Sequence, residues 1–109
     1  MCISKIDMAK VKKFFKEYLF AKFQCKNREL YRQLKDYDPK DDQKYLKWEH
    51  FVEYVEQVLE ALDKTSAQII KEIYIQNKRI CELPYSYSTY YAYRKKAIIE
   101  LLAYLDLKI

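Results

Sequence analysis

Apolar residues recur at helical spacing along most of the chain. Between residues 5 and 25 they stand three or four positions apart while lysines occupy the other faces, which predicts an amphipathic helix. Asn27 either ends this helix or caps a second, shorter helix that runs through Lys35. The apolar positions of the two helices are Met8, Val11, Phe15, Tyr18 and Leu19, followed by Leu30, Tyr31 and Leu34.

An acidic segment at residues 36–42 is the clearest loop, because Pro39 removes a backbone donor and aspartates favour turns and caps. The most regular apolar pattern follows it, over residues 43–63, and predicts a long helix with glutamates on its outer face. The apolar stripe of this helix comprises Leu46, Phe51, Val52, Val55, Val58, Leu59 and Leu62.

Two short helices are predicted next. Thr65 or Ser66 caps the first of them. Its apolar residues are Ile69, Ile70, Ile73 and Tyr74. Asn77 caps the second, which covers residues 78–83 in one or two turns. Pro84 ends it, because the residue before a proline disfavours helical geometry.

The final predicted helix is long and changes character along its length. Ser86 or Ser88 caps it, and it runs to about Leu107. Its first two turns are polar and basic, whereas its later turns are aliphatic. Its inward side chains are predicted to be Tyr90, Tyr93, Ala97, Ile98, Leu101, Leu102 and Leu105.

The composition supports an all-α fold. The 109 residues include no glycine, and most β-hairpins need a residue with positive φ at the turn. Glycine helix C-caps are also missing, which leaves Asn27 and Asn77 as substitutes. We therefore predict a compact bundle of five to six helices that ends in a helix-turn-helix. It forms one domain over residues 1–109, with an N-terminal region at 1–64 and a module at 65–109.

The three cysteines, Cys2, Cys25 and Cys81, are widely spaced and form no CxxC motif, and His50 is the only histidine. This set argues against a metal site, and we expect no cofactor. Cys25 and Cys81 are predicted to be buried thiols, as suits a reducing compartment. No apolar leader or membrane-length apolar run is present, so a cytoplasmic location without membrane contact is expected.

Charge is zoned along the chain. Residues 1–35 carry a net charge of +7, residues 36–64 carry −5 and residues 65–109 carry +3. This zoning predicts a basic surface from each end of the sequence, separated by an acidic helix. The alternative is that the zones neutralise one another when the chain folds.

The string Leu-Pro-Tyr-Ser-Tyr-Ser-Thr-Tyr-Tyr-Ala-Tyr-Arg-Lys-Lys-Ala-Ile at residues 83–98 resembles a known recognition helix. It is similar to that of phage late transcriptional regulators of the ArpU/RinA type and, more distantly, to sigma-70 region 4. The segment Ile-Ile-Lys-Glu-Ile-Tyr at residues 69–74 resembles the first helix of that module. The resemblance covers about residues 66–105. Residues 76–83 are short for a full supporting helix, which predicts a truncated one.

The resemblance implies that one face of the final helix enters the major groove of DNA. Carried over by position, the groove-facing residues are Ser86, Tyr87, Ser88, Thr89, Tyr91, Ala92 and Lys95. Arg94, Lys95 and Lys96 can neutralise phosphates, while Lys78 and Arg79 on the preceding helix can grip the DNA backbone. The tyrosines can instead be packing residues, and the basic triplet can be a solvated helix face.

These residues predict a DNA-binding transcriptional regulator without catalytic activity. Its expected partner is double-stranded DNA, with RNA polymerase or a second copy in a homodimer as further partners. No phosphate-binding loop or nucleophile–base pair is recognisable. The alternative function is a helical adaptor for protein interaction that has lost DNA binding. The lysines of the first helix form either a second binding patch or a solvated face.

Overall fold

The computed structural model describes residues 5–34 and 39–105, which are mostly helical and contain no strand. The α-helices are α1 (Lys5–Lys26), α2 (Arg28–Leu34), α3 (Pro39–Ala61), α4 (Lys64–Ile70) and α5 (Tyr87–Leu105). A π-helical segment (Lys71–Ile75) continues α4, and a 3₁₀ turn (Ile80–Glu82) precedes α5. The all-α prediction is confirmed.

Two helix pairs share one core. α1 packs against α3, α4 packs against α5, and the π-helical segment and α3 connect the pairs. The buried side chains of this shared apolar core are Val11, Phe15, Tyr18, Val55, Val58, Leu59, Leu62, Ile69, Ile70, Leu83, Tyr90, Ala97, Ile98, Leu101 and Leu105. Most of them lie at positions that the apolar spacing predicts, because one face of each helix must leave water.

The helices α1 to α3 follow the predicted pattern with three corrections. α3 begins at Pro39, inside the predicted loop, because proline suits the first turn of a helix; the first residues of that loop lie outside the described part. Leu46 is 51% exposed, and the neighbouring Tyr45 is buried in its place. In α2, the predicted apolar residues Leu30 and Leu34 are exposed, because no described helix covers them. The Tyr31 side chain lies outside the described residues.

Asn27 stops α1 through its side chain, whereas α4 begins without a side-chain cap. The Asn27 side chain donates a hydrogen bond to the Phe23 carbonyl at 2.9 Å, so Asn27 ends α1, which is the first of the two predicted alternatives. α4 begins after Asp63, and neither Thr65 nor Ser66 caps it. Ser66 is instead buried inside the helix, where its hydroxyl bonds to Glu100.

The predicted helix at residues 78–83 is reduced to one 3₁₀ turn over Ile80–Glu82. Asn77 does not cap it. This residue has φ 53°, the left-handed conformation that ends the preceding segment, and the amide of the next residue, Lys78, donates to the Glu72 carbonyl at 2.9 Å.

The predicted burial of both thiols was wrong, because Cys81 is exposed and Cys25 is half-buried. Cys2 lies outside the described residues.

The start of α5 agrees with the sequence. Leu83 is extended, as expected before Pro84. The Thr89 amide donates to Ser86 Oγ at 3.3 Å, which identifies Ser86 as the N-cap. α5 is described as far as Leu105, and Tyr93, predicted to face inward, is 38% exposed.

Within the described ranges, no helix combines the length and apolar character needed to cross a membrane.

Candidate functional site

The C-terminal half of α5 is anchored in the core. Ala97, Ile98 and Leu101 are almost completely buried against α4 and its neighbours. Glu100 adds a polar attachment, since its carboxylate accepts hydrogen bonds from the Ser66 hydroxyl and, at 3.2 Å, from the Asp63 amide. The last turns of α5 are therefore held to the beginning of α4.

The N-terminal half of α5 projects its polar side chains outward. Ser86, Tyr87, Ser88, Tyr91, Ala92, Lys95 and Lys96 are exposed, while Thr89 and Arg94 are half-buried. Ser88, Tyr91, Ala92 and Lys95 follow an i, i+3, i+4, i+7 spacing and therefore share one side of the helix. We call these four residues the outer face of α5. The first acidic residue of α5 is Glu100, so a positive charge dominates this half.

The hydroxyl groups of the first turn bond to each other. Ser86 Oγ lies 2.9 Å from Thr89 Oγ1 and 3.4 Å from Ser88 Oγ. Ser86 Oγ also accepts the Thr89 amide, so the Ser86 side chain caps the helix and the Thr89 hydroxyl is bonded to that cap. Of the predicted hydroxyl contacts, Ser88 on the outer face is the one best placed to reach a ligand.

Arg94 lies along the tyrosines instead of extending into solvent. Its guanidinium carbon is 5.0 Å from the Tyr91 ring centroid and 5.7 Å from the Tyr90 ring centroid. The two rings meet edge to face at 5.1 Å. Cation–π contacts of this kind hold a guanidinium in place. Lys95 on the outer face and the adjacent Lys96 are consequently the exposed cations of this half of α5.

Lys78 and Arg79 are exposed, but they do not lie on a helix as predicted. They occupy the connection between Asn77 and the 3₁₀ turn, where Arg79 has an extended backbone. Among the described residues, no hydrogen bond, ion pair or ring contact joins either side chain to α5. The structure thus brings nine of the eleven predicted site residues together at the N-terminal end of α5, and leaves Lys78 and Arg79 apart from them.

Two acidic residues in this module have roles that the sequence reasoning missed. Glu100 attaches α5 to the beginning of α4. In the sequence it stands out as an isolated acidic residue in an otherwise apolar stretch. Glu72 is 95% buried and accepts a 2.6 Å hydrogen bond from Gln68. The pKa of the Tyr85 phenol is raised above its ordinary value. Burial contributes most to this increase, followed by the charge of Glu72 and then by Tyr93.

Tyr74, in the π-helical segment, packs against α1. Its ring stacks on Phe15 with centroids 5.3 Å apart. Burial raises the pKa of the Tyr74 phenol above its ordinary value, the Arg94 guanidinium lowers it, and Tyr90 adds a smaller upward contribution. The neutral phenol is therefore the form that the fold favours.

We expect the free energy of unfolding to decrease in alkaline solution, and to decrease less in Tyr74→Phe. Because the folded pKa is raised, this contribution is fully present below the unfolded pKa of about 10, and it is lost as the pH rises through the folded value. Urea unfolding on both sides of about pH 10 measures the difference. The exposed Tyr104→Phe is the control, and equal alkaline losses in all three proteins would contradict the assignment.

Within residues 5–34 and 39–105, no group of three or more histidine, cysteine, aspartate or glutamate side chains is arranged to hold a metal ion. No protein-family model, curated protein or solved structure matches this chain.

Proposed function

We propose that the chain binds double-stranded DNA through the outer face of α5 and acts in transcriptional control. The observation that carries the proposal is the division of α5 into a buried aliphatic half and an exposed, acid-free half. A recognition helix needs both, because one end must be held rigidly while the other enters the major groove.

The side chains of the exposed half suit this role. Lys95 and Lys96 can neutralise phosphates, and the Ser88 hydroxyl can bond to a phosphate or a base edge. Tyr87 and Tyr91 are 68% and 52% exposed and offer aromatic contact area with a polar tip. Lys78 and Arg79 extend the positive charge onto the connection before α5. RNA polymerase is a further partner in this proposal.

Duplex binding should depend steeply on salt. We expect a log–log slope of about −3 or steeper, since about four neutralised phosphates contribute about −0.9 each. Fluorescence anisotropy with an AT-rich duplex, titrated from low to physiological salt, measures the slope. Absence of binding even at low salt would refute the proposal.

A charge-reversal pair tests the assigned residues. Lys95→Glu with Lys96→Glu should abolish duplex binding, and an unchanged far-UV circular dichroism spectrum would show that the helices are retained. Lys26→Glu with Lys64→Glu is the matched control, because it changes the net charge equally at exposed positions outside α5. Equal losses from both pairs would mean that only net charge matters.

The second candidate function is a helical adaptor for protein interaction without DNA binding. The reduction of the supporting helix to the Ile80–Glu82 turn favours this candidate, because the first helix of the module then lacks its usual neighbour. If the adaptor function is correct, the Lys95 and Lys96 reversals leave partner affinity unchanged.

A further inference from the structure

An open groove of about 510 Å³ lies between α1 and α3, apart from the outer face of α5. Its lining includes Lys13, Lys16, Phe20, Lys47, Trp48 and Phe51. The Phe20 and Trp48 rings meet edge to face at 5.8 Å, and Phe20 is 55% exposed. These rings therefore form an aromatic surface in the groove, on which a side chain of a binding partner can pack. Binding sites of this volume are large enough to bury such a side chain.

The rim of the groove is basic. Lys13, Lys16 and Lys47 line it, opposed by Glu17 alone. None of the three lysines forms an ion pair with another described residue. Because opposite charges attract, the basic rim favours an acidic partner. The aromatic lining favours a partner that also carries an apolar or aromatic side chain to insert into the groove.

The same chain exposes a surface with this complementary chemistry. Glu53, Tyr54, Gln57 and Glu60 lie on the outer side of α3, opposite its buried stripe. We call these four residues the acidic face of α3. Tyr54 is 45% exposed, and tyrosine is among the residues enriched at protein interfaces. Neither Glu53 nor Glu60 is in an ion pair within the described part of the chain.

We propose that the groove of one protomer receives the acidic face of α3 from a second copy of this chain. The two surfaces are neighbours on α3, where Trp48 and Phe51 line the groove and the acidic face follows from Glu53 onward. A two-fold axis beside α3 would therefore place each acidic face against the other protomer's groove. Such an isologous contact closes on itself and gives a dimer. This inference does not rest on DNA binding.

Sedimentation equilibrium of the full chain without DNA tests the proposal. We expect a concentration-dependent dimer that weakens as salt rises, because the contacts join opposite charges near the surface. Emission from Trp48, the single tryptophan, should shift to the blue with concentration as the groove is covered. A monomer at every concentration would overturn the proposal and leave the groove to an acidic helix of another protein.

Reversing the charges of the groove and of the acidic face gives the decisive test. Lys13→Glu with Lys16→Glu, and separately Glu53→Lys with Glu60→Lys, should each weaken dimerisation at least about tenfold. Mixing the two variants should restore dimerisation as a heterodimer. In that heterodimer the unchanged groove of one chain meets the unchanged acidic face of the other, and the reversed groove meets the reversed face, so opposite charges meet at both contacts. Dimers that survive both reversals, or variants that do not recover on mixing, would contradict the arrangement.

A milder variant guards against misfolding of the charge-reversed chains. Tyr54→Ala removes the anchor from an exposed position, so the fold should persist while dimerisation weakens. Lys26→Glu with Lys64→Glu is again the control and should leave the dimer unchanged. Because no nucleic acid is present, loss of the dimer and loss of DNA binding are separate results.

Discussion

Replacing Phe15 with alanine is expected to lower the free energy of unfolding by about 3–5 kcal/mol, the usual loss for a buried aromatic residue. Phe15 is 1% exposed and stacks on Tyr74, and its ring also meets Phe14 edge to face at 5.4 Å. It is thus the ring that joins α1 to the π-helical segment. A domain of this size is stable by about 5–15 kcal/mol, so the change removes a large share of that stability.

Urea unfolding followed by circular dichroism measures the Phe15→Ala effect. Phe23→Ala is the matched control, because Phe23 lies on the same helix and is 62% exposed. Its substitution should change the free energy of unfolding by less than about 0.5 kcal/mol. Equal losses at Phe15 and Phe23 would show that α1 does not pack as described.

Replacing Glu100 with alanine is expected to cost about 2–3 kcal/mol, in the range of hydrogen bonds to a charged group. The change removes the acceptor of both the Asp63 amide and the buried Ser66 hydroxyl. The Ser66 hydroxyl then loses its carboxylate acceptor in a site that is 2% exposed. We therefore expect α4 and α5 to separate at lower urea concentration.

A double-mutant cycle with Ser66→Ala isolates this contact. The coupling energy between residues 66 and 100 should be about 0.5–3 kcal/mol, since the two side chains touch directly. Glu82→Ala, at an exposed position, is the control for loss of a carboxylate. Additive effects at residues 66 and 100 would show that the hydrogen bond contributes nothing to stability.

The helices themselves are predictable where the apolar spacing is long and regular. α1 ends at Lys26, within about two residues of its predicted limit, and the Ser86 cap at the start of α5 is confirmed. The short elements were harder, because a few residues carry little periodic signal. The segment at residues 78–83 illustrates this, since Asn77 takes the left-handed conformation and leaves only one 3₁₀ turn.

The candidate site was predictable in part. The polar and basic start of α5 is a local pattern, and the exposure of Ser88 and Lys95 agrees with it. The isolated acid Glu100 stands out locally, but its partner Ser66 is 34 positions away, so no local pattern could indicate the attachment between them. The groove between α1 and α3 likewise depends on how two helices pack.

The sequence by itself determined that this chain is helical, since helical apolar spacing without glycine leaves few other structures. It also determined which face of each long helix is apolar. Only the tertiary structure decided which apolar residues are covered, and it left Leu30, Leu34 and Leu46 exposed. The physical reason is that spacing records which side chains share a face, whereas burial requires a second element to pack on that face.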